Sequence, residues 1–314
     1  MDHDRGNRRC FRGPQTPGEV TMSPAPGGAP YSWLDRTLHK LAFRSNALRE
    51  LLADLETHLY AREWRSQPAE RPVFVTSLPR AGTTILLEAM HRVPGLATHT
   101  YRDMPFVHTP LLWSMLSRPF RRSSEKRMRA HGDGIVVNED SPEAFEEVLW
   151  LDHFPEHYDD TGIVPWDRGN REFAEVLREH MRKIIALRMD AGRTDGRYVS
   201  KNNANIARIG AIREMFPDSY IVVPLREPVE HAISMQRQHL NFLDQHDEEP
   251  FIRQYMSDIG HFEFGQLHRP IQFPGWNALD AGWTPETLEY WLSYWCSAFE
   301  LVEALTSVLL VPSR

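Results

Sequence analysis

The sequence predicts an α/β fold in which helices flank a parallel, doubly wound sheet. Three short segments rich in β-branched and aromatic residues predict buried strands, at residues 72–77, 197–201 and 219–225. A helical pattern follows each of them, and strands that alternate with helices in this way favour parallel pairing. Ligands bind such sheets at the carboxyl ends of the strands, so the turns after these segments are candidate sites.

The first part of the chain is expected to lie outside that sheet. Residues 1–30 are rich in proline and glycine, lack a hydrophobic period and are expected to form a disordered leader. Residues 31–66 are expected to form an amphipathic helical arm, because leucines recur at helical spacing with one interruption at Ser45. The arm is interpreted as packing on its own domain, and a homodimer formed through residues 31–64 is the alternative.

Helix-start and helix-stop signals predict the remaining elements of an α/β domain over residues 70–314. Ser141 and Pro142 suit the first positions of a helix over about 141–151. The other expected elements are helices over about 170–190, over about 203–216, from Pro228 and from Thr284, and a last strand over 308–311.

Composition excludes several classes of protein. With 41% apolar and 25% charged residues, the chain is able to form a core and is not disordered as a whole. It has no run of about 18 apolar residues and no apolar segment near its N-terminus, so we expect neither a membrane span nor secretion. Two cysteines, Cys10 and Cys296, fit a reducing, cytoplasmic compartment, and the net charge of −7 argues against nucleic-acid binding.

The turn after the first predicted strand has the parts of a phosphate-binding loop. Gly82 allows the backbone to approach an anion, Arg80 adds a cation, and Thr83 and Thr84 add hydroxyl donors at the start of a helix. The loop differs from that of nucleotide kinases, which have a glycine where Ser77 stands and a lysine where Thr83 stands.

In these residues the sequence resembles the sulfotransferases that use 3′-phosphoadenosine 5′-phosphosulfate (PAPS). The first signature of that family is a strand followed by Pro-[Lys/Arg]-Ser-Gly-Thr-Thr and a helix. The chain has Pro79, Arg80, Ala81, Gly82, Thr83 and Thr84, with Ala81 in place of the serine. The resemblance implies a three-layer fold like that of P-loop NTPases, a loop that binds the 5′-phosphosulfate, and an Arg80 side chain that reaches towards the leaving oxygen.

A second segment carries the same resemblance. The family has a strand ending in arginine, then an acidic residue or asparagine with proline, and a serine farther along the next helix. The chain matches with Arg226, Glu227, Pro228 and Ser234. The resemblance covers about residues 72–312 and implies that Arg226 and Ser234 bind the 3′-phosphate of the donor, which suits a guanidinium fork beside a hydroxyl.

Lys201, at the end of the second predicted strand, is the next candidate. Many family members have Lys-[Ser/Thr/Asp]-Pro at the corresponding place, where the lysine neutralises the transferring group, whereas this chain has Asn203 in place of the proline. A solvated lysine at a strand end is the alternative.

A general base is also expected, and family members use histidine or a carboxylate. In several branches of the family this residue follows the phosphate loop by some twenty to thirty residues, so the resemblance implies the segment 99–108, in which Asp103 is ranked first, with His99 and His108 behind it. Polar residues that merely line a loop are the competing interpretation.

The resemblance implies a transfer of the sulfuryl group from PAPS to a hydroxyl or amine acceptor, without a metal, giving PAP and a sulfated product. The acceptor is expected to be a small molecule, carbohydrate, lipid or peptide, bound partly by a helical insertion at about 95–195. Family members usually continue beyond the last strand, so we expect the C-terminal part of the nucleotide site to be missing and activity to be weakened. A P-loop kinase or nucleotidase and a catalytically impaired PAP-binding protein are the alternatives.

Overall fold

The computed structural model describes residues 33–118, 127–128, 136–190, 192–248, 250–305 and 309–312. The predicted leader, residues 1–30, lies outside these residues. The described strands are β1 (Val73–Val75), β2 (Leu96–Ala97), β3 (Arg127–Met128), β4 (Val136–Val137), β5 (Arg197–Lys201), β6 (Tyr220–Leu225) and β7 (Leu309–Pro312). Five of them form one sheet in the order β2-β5-β1-β6-β7, and every pair in it is parallel; β3 and β4 pair antiparallel by themselves.

Eleven α-helices are present among the described residues. They are α1 (Trp33–Ala42), α2 (Asn46–Leu59), α3 (Ala61–Trp64), α4 (Thr83–His91), α5 (Pro110–Ser117), α6 (Glu147–His153), α7 (Arg171–Arg188), α8 (Ile209–Met215), α9 (Pro228–Glu248), α10 (Pro250–Asp258) and α11 (Leu288–Ala304). None of these described helices is long and apolar enough to cross a bilayer.

The two faces of the sheet bury different apolar clusters, since successive side chains of a strand point to opposite sides. Val73 and Val75 pack with Leu87 of α4 on one face, and Phe74 belongs to the larger cluster on the other face. The register sets Val75 beside Lys201, so β1 and β5 end together. The three-layer α/β fold with a parallel sheet is therefore confirmed.

The helical arm does not form one continuous helix with a single leucine period. A new helix, α2, starts after Ser45, because the Ser45 hydroxyl accepts a hydrogen bond from Leu48 N at 3.4 Å and caps it. On α2, Leu51 and Leu59 are exposed, whereas Glu56 is fully buried. The polar side of α2 therefore faces the domain, and the homodimer stays a prediction.

The predicted helix at 141–151 begins later than expected. Ser141 closes a turn with Asn138 instead of capping a helix, and Glu143 N donates to His99 O at 3.1 Å. These contacts hold the segment extended, so α6 starts only at Glu147.

The helix predicted at 203–216 also starts late. Its first part, Asn203–Arg208, is a 3₁₀ segment whose N-cap Asn202 accepts a hydrogen bond from Ala204 N at 3.0 Å. The tight turn at the end of β5 leaves the Asn203 side chain beside the phosphate loop.

Candidate active site

The turn after β1 has an unusual backbone. Ser77 Oγ donates to Pro224 O at 2.8 Å and ties the start of the turn to β6. Two residues then adopt positive φ angles, Arg80 at 73° and Gly82 at 88°. Positive φ is ordinary for glycine but unfavourable for arginine, at a cost of about 1–3 kcal/mol, and such strain is found where a binding site requires it. The fully buried Ala81 lies between them, so Ala81 keeps the small size that the loop needs.

Helix α4 begins directly after this turn. Gly82 is its N-cap and has no side chain to accept from the first amides of the helix. The N–H groups at this end and the partial positive charge of the helix therefore suit an anion. The hydroxyl of the buried Thr83 donates to Asn203 Oδ1 at 3.2 Å, and Thr84 lies in the open cleft in front of the loop.

The two segments that carry the resemblance meet in space. Arg80 Nε donates to Ser234 Oγ at 3.4 Å, and Arg226 donates to the Arg80 carbonyl at 3.5 Å. Arg226 also lies 3.6 Å from the exposed carboxylate of Glu230. Two guanidinium groups and one hydroxyl thus converge beside the loop, although Arg80 and Ser234 are far apart in sequence.

His231 supports this arrangement and was not predicted. Its Nε2–H donates to Pro79 O at 2.8 Å, and its Nδ1 accepts from Trp295 Nε1 at 3.2 Å. Burial, together with the charges of Arg226 and Arg80, lowers the pKa of His231 to about 4 against the opposing effect of the Pro79 carbonyl. The neutral imidazole therefore fixes the loop to α9 and α11, a link between distant segments for which the sequence gives no signal.

An open cleft of about 590 Å³ lies in front of the loop. We call it the loop cleft; it is lined by Pro79, Arg80, Thr83, Thr84, Lys201, Asn203, Gln238, Phe242, His246, Met256, His261, Glu263 and Phe264. Lys201 is buried at the end of β5, so the structure brings the predicted cations Arg80 and Lys201 to one cleft.

Asn203 connects the loop to the opposite wall of that cleft. Its Oδ1 accepts from Thr83, and its Nδ2 donates to Glu263 Oε1 at 3.2 Å. Its own carbonyl accepts from Thr76 Oγ1 at 3.3 Å. Proline could form none of these side-chain contacts. Asn203, which departs from the family pattern, therefore joins the phosphate loop to Glu263. Glu263 itself was not predicted.

A second cleft of about 560 Å³ adjoins the first. We call it the inner cleft; its lining combines polar and charged side chains, among them His268 and Arg269, with the apolar and aromatic side chains of Leu78, Ile163, Phe262, Ile271, Trp291 and Tyr294. Both clefts share five residues, which we call the junction: Pro79, Lys201, Asn203, His261 and Glu263. Gly260 precedes the last two, with φ at 76°, and a Cβ there would lie 2.5 Å from Glu147 Cγ, so only glycine allows this backbone to turn towards the junction.

The structure does not bring Asp103 and His99 to either cleft. The Asp103 carboxylate is 2% exposed and accepts hydrogen bonds from Arg188, His99 Nδ1 and Thr100 N. Burial acts to raise the pKa of Asp103, but Arg188 and His99 hold it well below its usual range. The other nitrogen of His99 lies 2.9 Å from Nε2 of the buried His180. These groups form a closed network inside the domain.

His108 is also outside both clefts. Its Nε2 lies 2.9 Å from Asp152 Oδ2, and Arg49 of α2 bonds the same carboxylate. Burial lowers the pKa of His108 despite this partner. The contact attaches the helical arm to α6. Within the described part of the chain, no group of three or more His, Cys, Asp or Glu residues is arranged to hold a metal ion.

The match to a family model agrees with the signatures. Residues 72–269 match the sulfotransferase family. No curated protein matches the chain. Among solved structures, the sulfotransferase STF1 of Mycobacterium tuberculosis is 15% identical, with 91% of this chain and 73% of that chain covered and a TM-score of 0.42. The sulfotransferase STF9 of Mycobacterium avium is 15% identical, with coverage of 93% and 81% and a TM-score of 0.40.

Proposed function

The chain belongs to the sulfotransferase family, and from that premise we propose that it transfers a sulfuryl group from PAPS to an acceptor hydroxyl or amine. The observation that carries the proposal is the meeting of the two signature segments, where Arg80, Arg226 and Ser234 converge beside the turn that precedes α4. A donor with phosphates at both ends of its ribose requires two adjacent anion sites, and these three side chains supply them.

The loop suits the sulfated end of such a donor. The amides at the start of α4 together with Arg80 and Thr84 would hold the 5′-phosphosulfate. Arg226 and Ser234 would hold the 3′-phosphate, because a planar guanidinium binds a phosphate through two parallel hydrogen bonds. The bound donor supplies a sulfuryl group on a phosphate leaving group.

The residues around the loop would stabilise the charge that develops during transfer. Negative charge grows on the sulfuryl oxygens and on the leaving phosphate, so preorganised cations and N–H donors there contribute most to the rate. Arg80 and Lys201 face the same cleft, and Lys201 is buried at the end of β5. Thr83 stands where a nucleotide kinase has its phosphate-binding lysine, which favours sulfuryl transfer over transfer from ATP.

Calorimetric titration with PAP, paired with transfer of labelled sulfate from PAPS to a panel of hydroxyl and amine acceptors, tests the proposal. We expect the wild type to bind PAP and Arg226→Gln to weaken PAP binding about 10–100-fold, since the charge-assisted contact of the guanidinium with the phosphate is removed. Arg237→Gln, exposed on the same helix, is the matched control and should stay within about twofold, as distant surface changes do. Absence of PAP binding, or phosphoryl transfer from ATP in place of sulfuryl transfer, would overturn it.

A further inference from the structure

Glu263 lies where the two clefts meet. It lines both of them, together with Lys201, whereas Arg80 and Thr84 line the loop cleft alone. Resting on the proposed function, the sulfuryl group lies near Arg80 and Lys201. An acceptor that approaches it through either cleft then passes the Glu263 carboxylate.

The carboxylate of Glu263 is held in place through one of its two oxygens. Asn203 Nδ2 fixes Oε1, and Asn203 is itself fixed by Thr83. This leaves the lone pairs of Oε2 for a further donor, and the side chain is partly exposed. A general base requires this combination, since it must be held in place and still reach the proton of a bound substrate.

Apolar and polar side chains line both clefts. Phe242 and Phe264 line the loop cleft beside Gln238, and Trp291 lines the inner cleft beside His268. An aromatic compound such as 2-naphthol is a suitable probe acceptor, because aromatic side chains stack on it.

We propose that Glu263 is the general base of this enzyme, acting on the hydroxyl group of the acceptor. Oε2 of Glu263 takes the hydroxyl proton while the acceptor oxygen forms its bond to sulfur. The bond between sulfur and the bridging phosphate oxygen breaks, and its electron pair leaves with PAP. Arg80 stabilises that charge, and Glu263 releases its proton to solvent through the open loop cleft.

The variant Glu263→Gln tests the assignment, because glutamine keeps the oxygen that accepts from Asn203 and removes only the basic group. With 2-naphthol as the acceptor we expect kcat/KM to fall about 10²–10³-fold, while PAP affinity stays within about twofold. Glu172→Gln, exposed on α7, is the matched control and should behave as the wild type.

A second acceptor separates a base from a structural residue. With 4-nitrophenol above its own pKa, the acceptor is already ionised, so the loss in Glu263→Gln should shrink to less than about tenfold. Equal losses for both phenols, an unchanged variant, or a loss in His261→Asn instead would overturn the role of Glu263. Failure of the wild type to bind PAP would instead overturn the proposed function itself.

Discussion

Two polar clusters of the domain contain the same kinds of residue and differ in how fully those residues are bonded. In the closed network, the Asp103 carboxylate is buried and accepts from Arg188, His99 and Thr100. At the junction, Glu263 is partly exposed and accepts from Asn203 through one oxygen. A carboxylate whose lone pairs are all engaged stabilises the fold, whereas one that is held by a single oxygen keeps the capacity to take a proton.

Asp103→Asn is the strongest test of this contrast. Arg188 would keep a mostly buried charge without its partner, so we expect the free energy of unfolding to fall by about 3–5 kcal/mol in urea titrations. The fraction that folds should transfer sulfate with kcat/KM within about threefold of the wild type, because Asp103 reaches neither cleft.

Asp140→Asn is the matched control, since Asp140 forms a surface ion pair with Arg102. Exposed pairs contribute little to stability, so its unfolding curve should overlay that of the wild type. A large loss of activity in Asp103→Asn without a loss of stability would show that the closed network is catalytic after all.

Arg80→Gln tests the other cluster. Removing one preorganised charge from the reacting group should lower kcat/KM by about 10²–10³-fold. Stability should change by less than about 0.5 kcal/mol, because the positive φ remains and the hydrogen bond from Arg80 to Ser234 is long, at 3.4 Å. Arg92→Gln, exposed at the other end of α4, serves as the control. Equal activity in the two variants would place the reaction away from the loop.

The sequence predicts the parts of the site that lie within one segment of the chain. It does not predict the contacts that join distant segments. The phosphate loop and Arg226 lie directly after strands, so spacing alone predicts their position at the sheet edge. His231 bonds Pro79, more than a hundred positions away, and Glu263 bonds Asn203, about sixty positions away. Neither hydrophobic periodicity nor a sequence motif indicates such contacts. The family's sequence distance between the phosphate loop and the base favours Asp103. That distance does not show whether a short 3₁₀ turn faces a cleft or the interior of the domain.

The ends of helices were missed for a related physical reason. Ser141 and Pro142 have the residue types of a helix start, yet Pro142 bridges with Thr100 and Ser141 N bonds Asn138. Tertiary pairing thus outweighed a local preference that is worth only about 1 kcal/mol. The break at Ser45 was visible in the sequence as an interruption, and its meaning as a cap was not.

His231, which holds the phosphate loop through Pro79, makes the stability of the fold depend on pH. Its folded pKa of about 4 lies below the ordinary 6.5, so the unfolded chain binds the proton first and stability falls as the pH drops from 6.5 towards 4. The loss from this group should reach about 3 kcal/mol. In His231→Gln, urea titrations across this window should show a shallower loss than in the wild type. His58→Gln, on the exposed side of α2, is the control and should lose stability with falling pH as steeply as the wild type. An equally steep loss in His231→Gln would show that the His231 ring is not the titrating group.

The smallest expected effect is in Asn203→Ala, which removes the connection between the loop and Glu263. Asn203 is a positioning residue, so we expect kcat/KM with 2-naphthol to fall by about tenfold, the value of one hydrogen bond to a charged group. With ionised 4-nitrophenol, which needs no base, the loss should shrink to less than about threefold.

Asn241→Ala, exposed on α9, is the control for general effects of removing an amide. A merely structural Asn203 would lower the rates with both phenols equally, because its loss would not act through the base. A smaller loss with 4-nitrophenol than with 2-naphthol, at unchanged PAP affinity, therefore distinguishes orientation of the base from damage to the phosphate loop, although Asn203 contacts both.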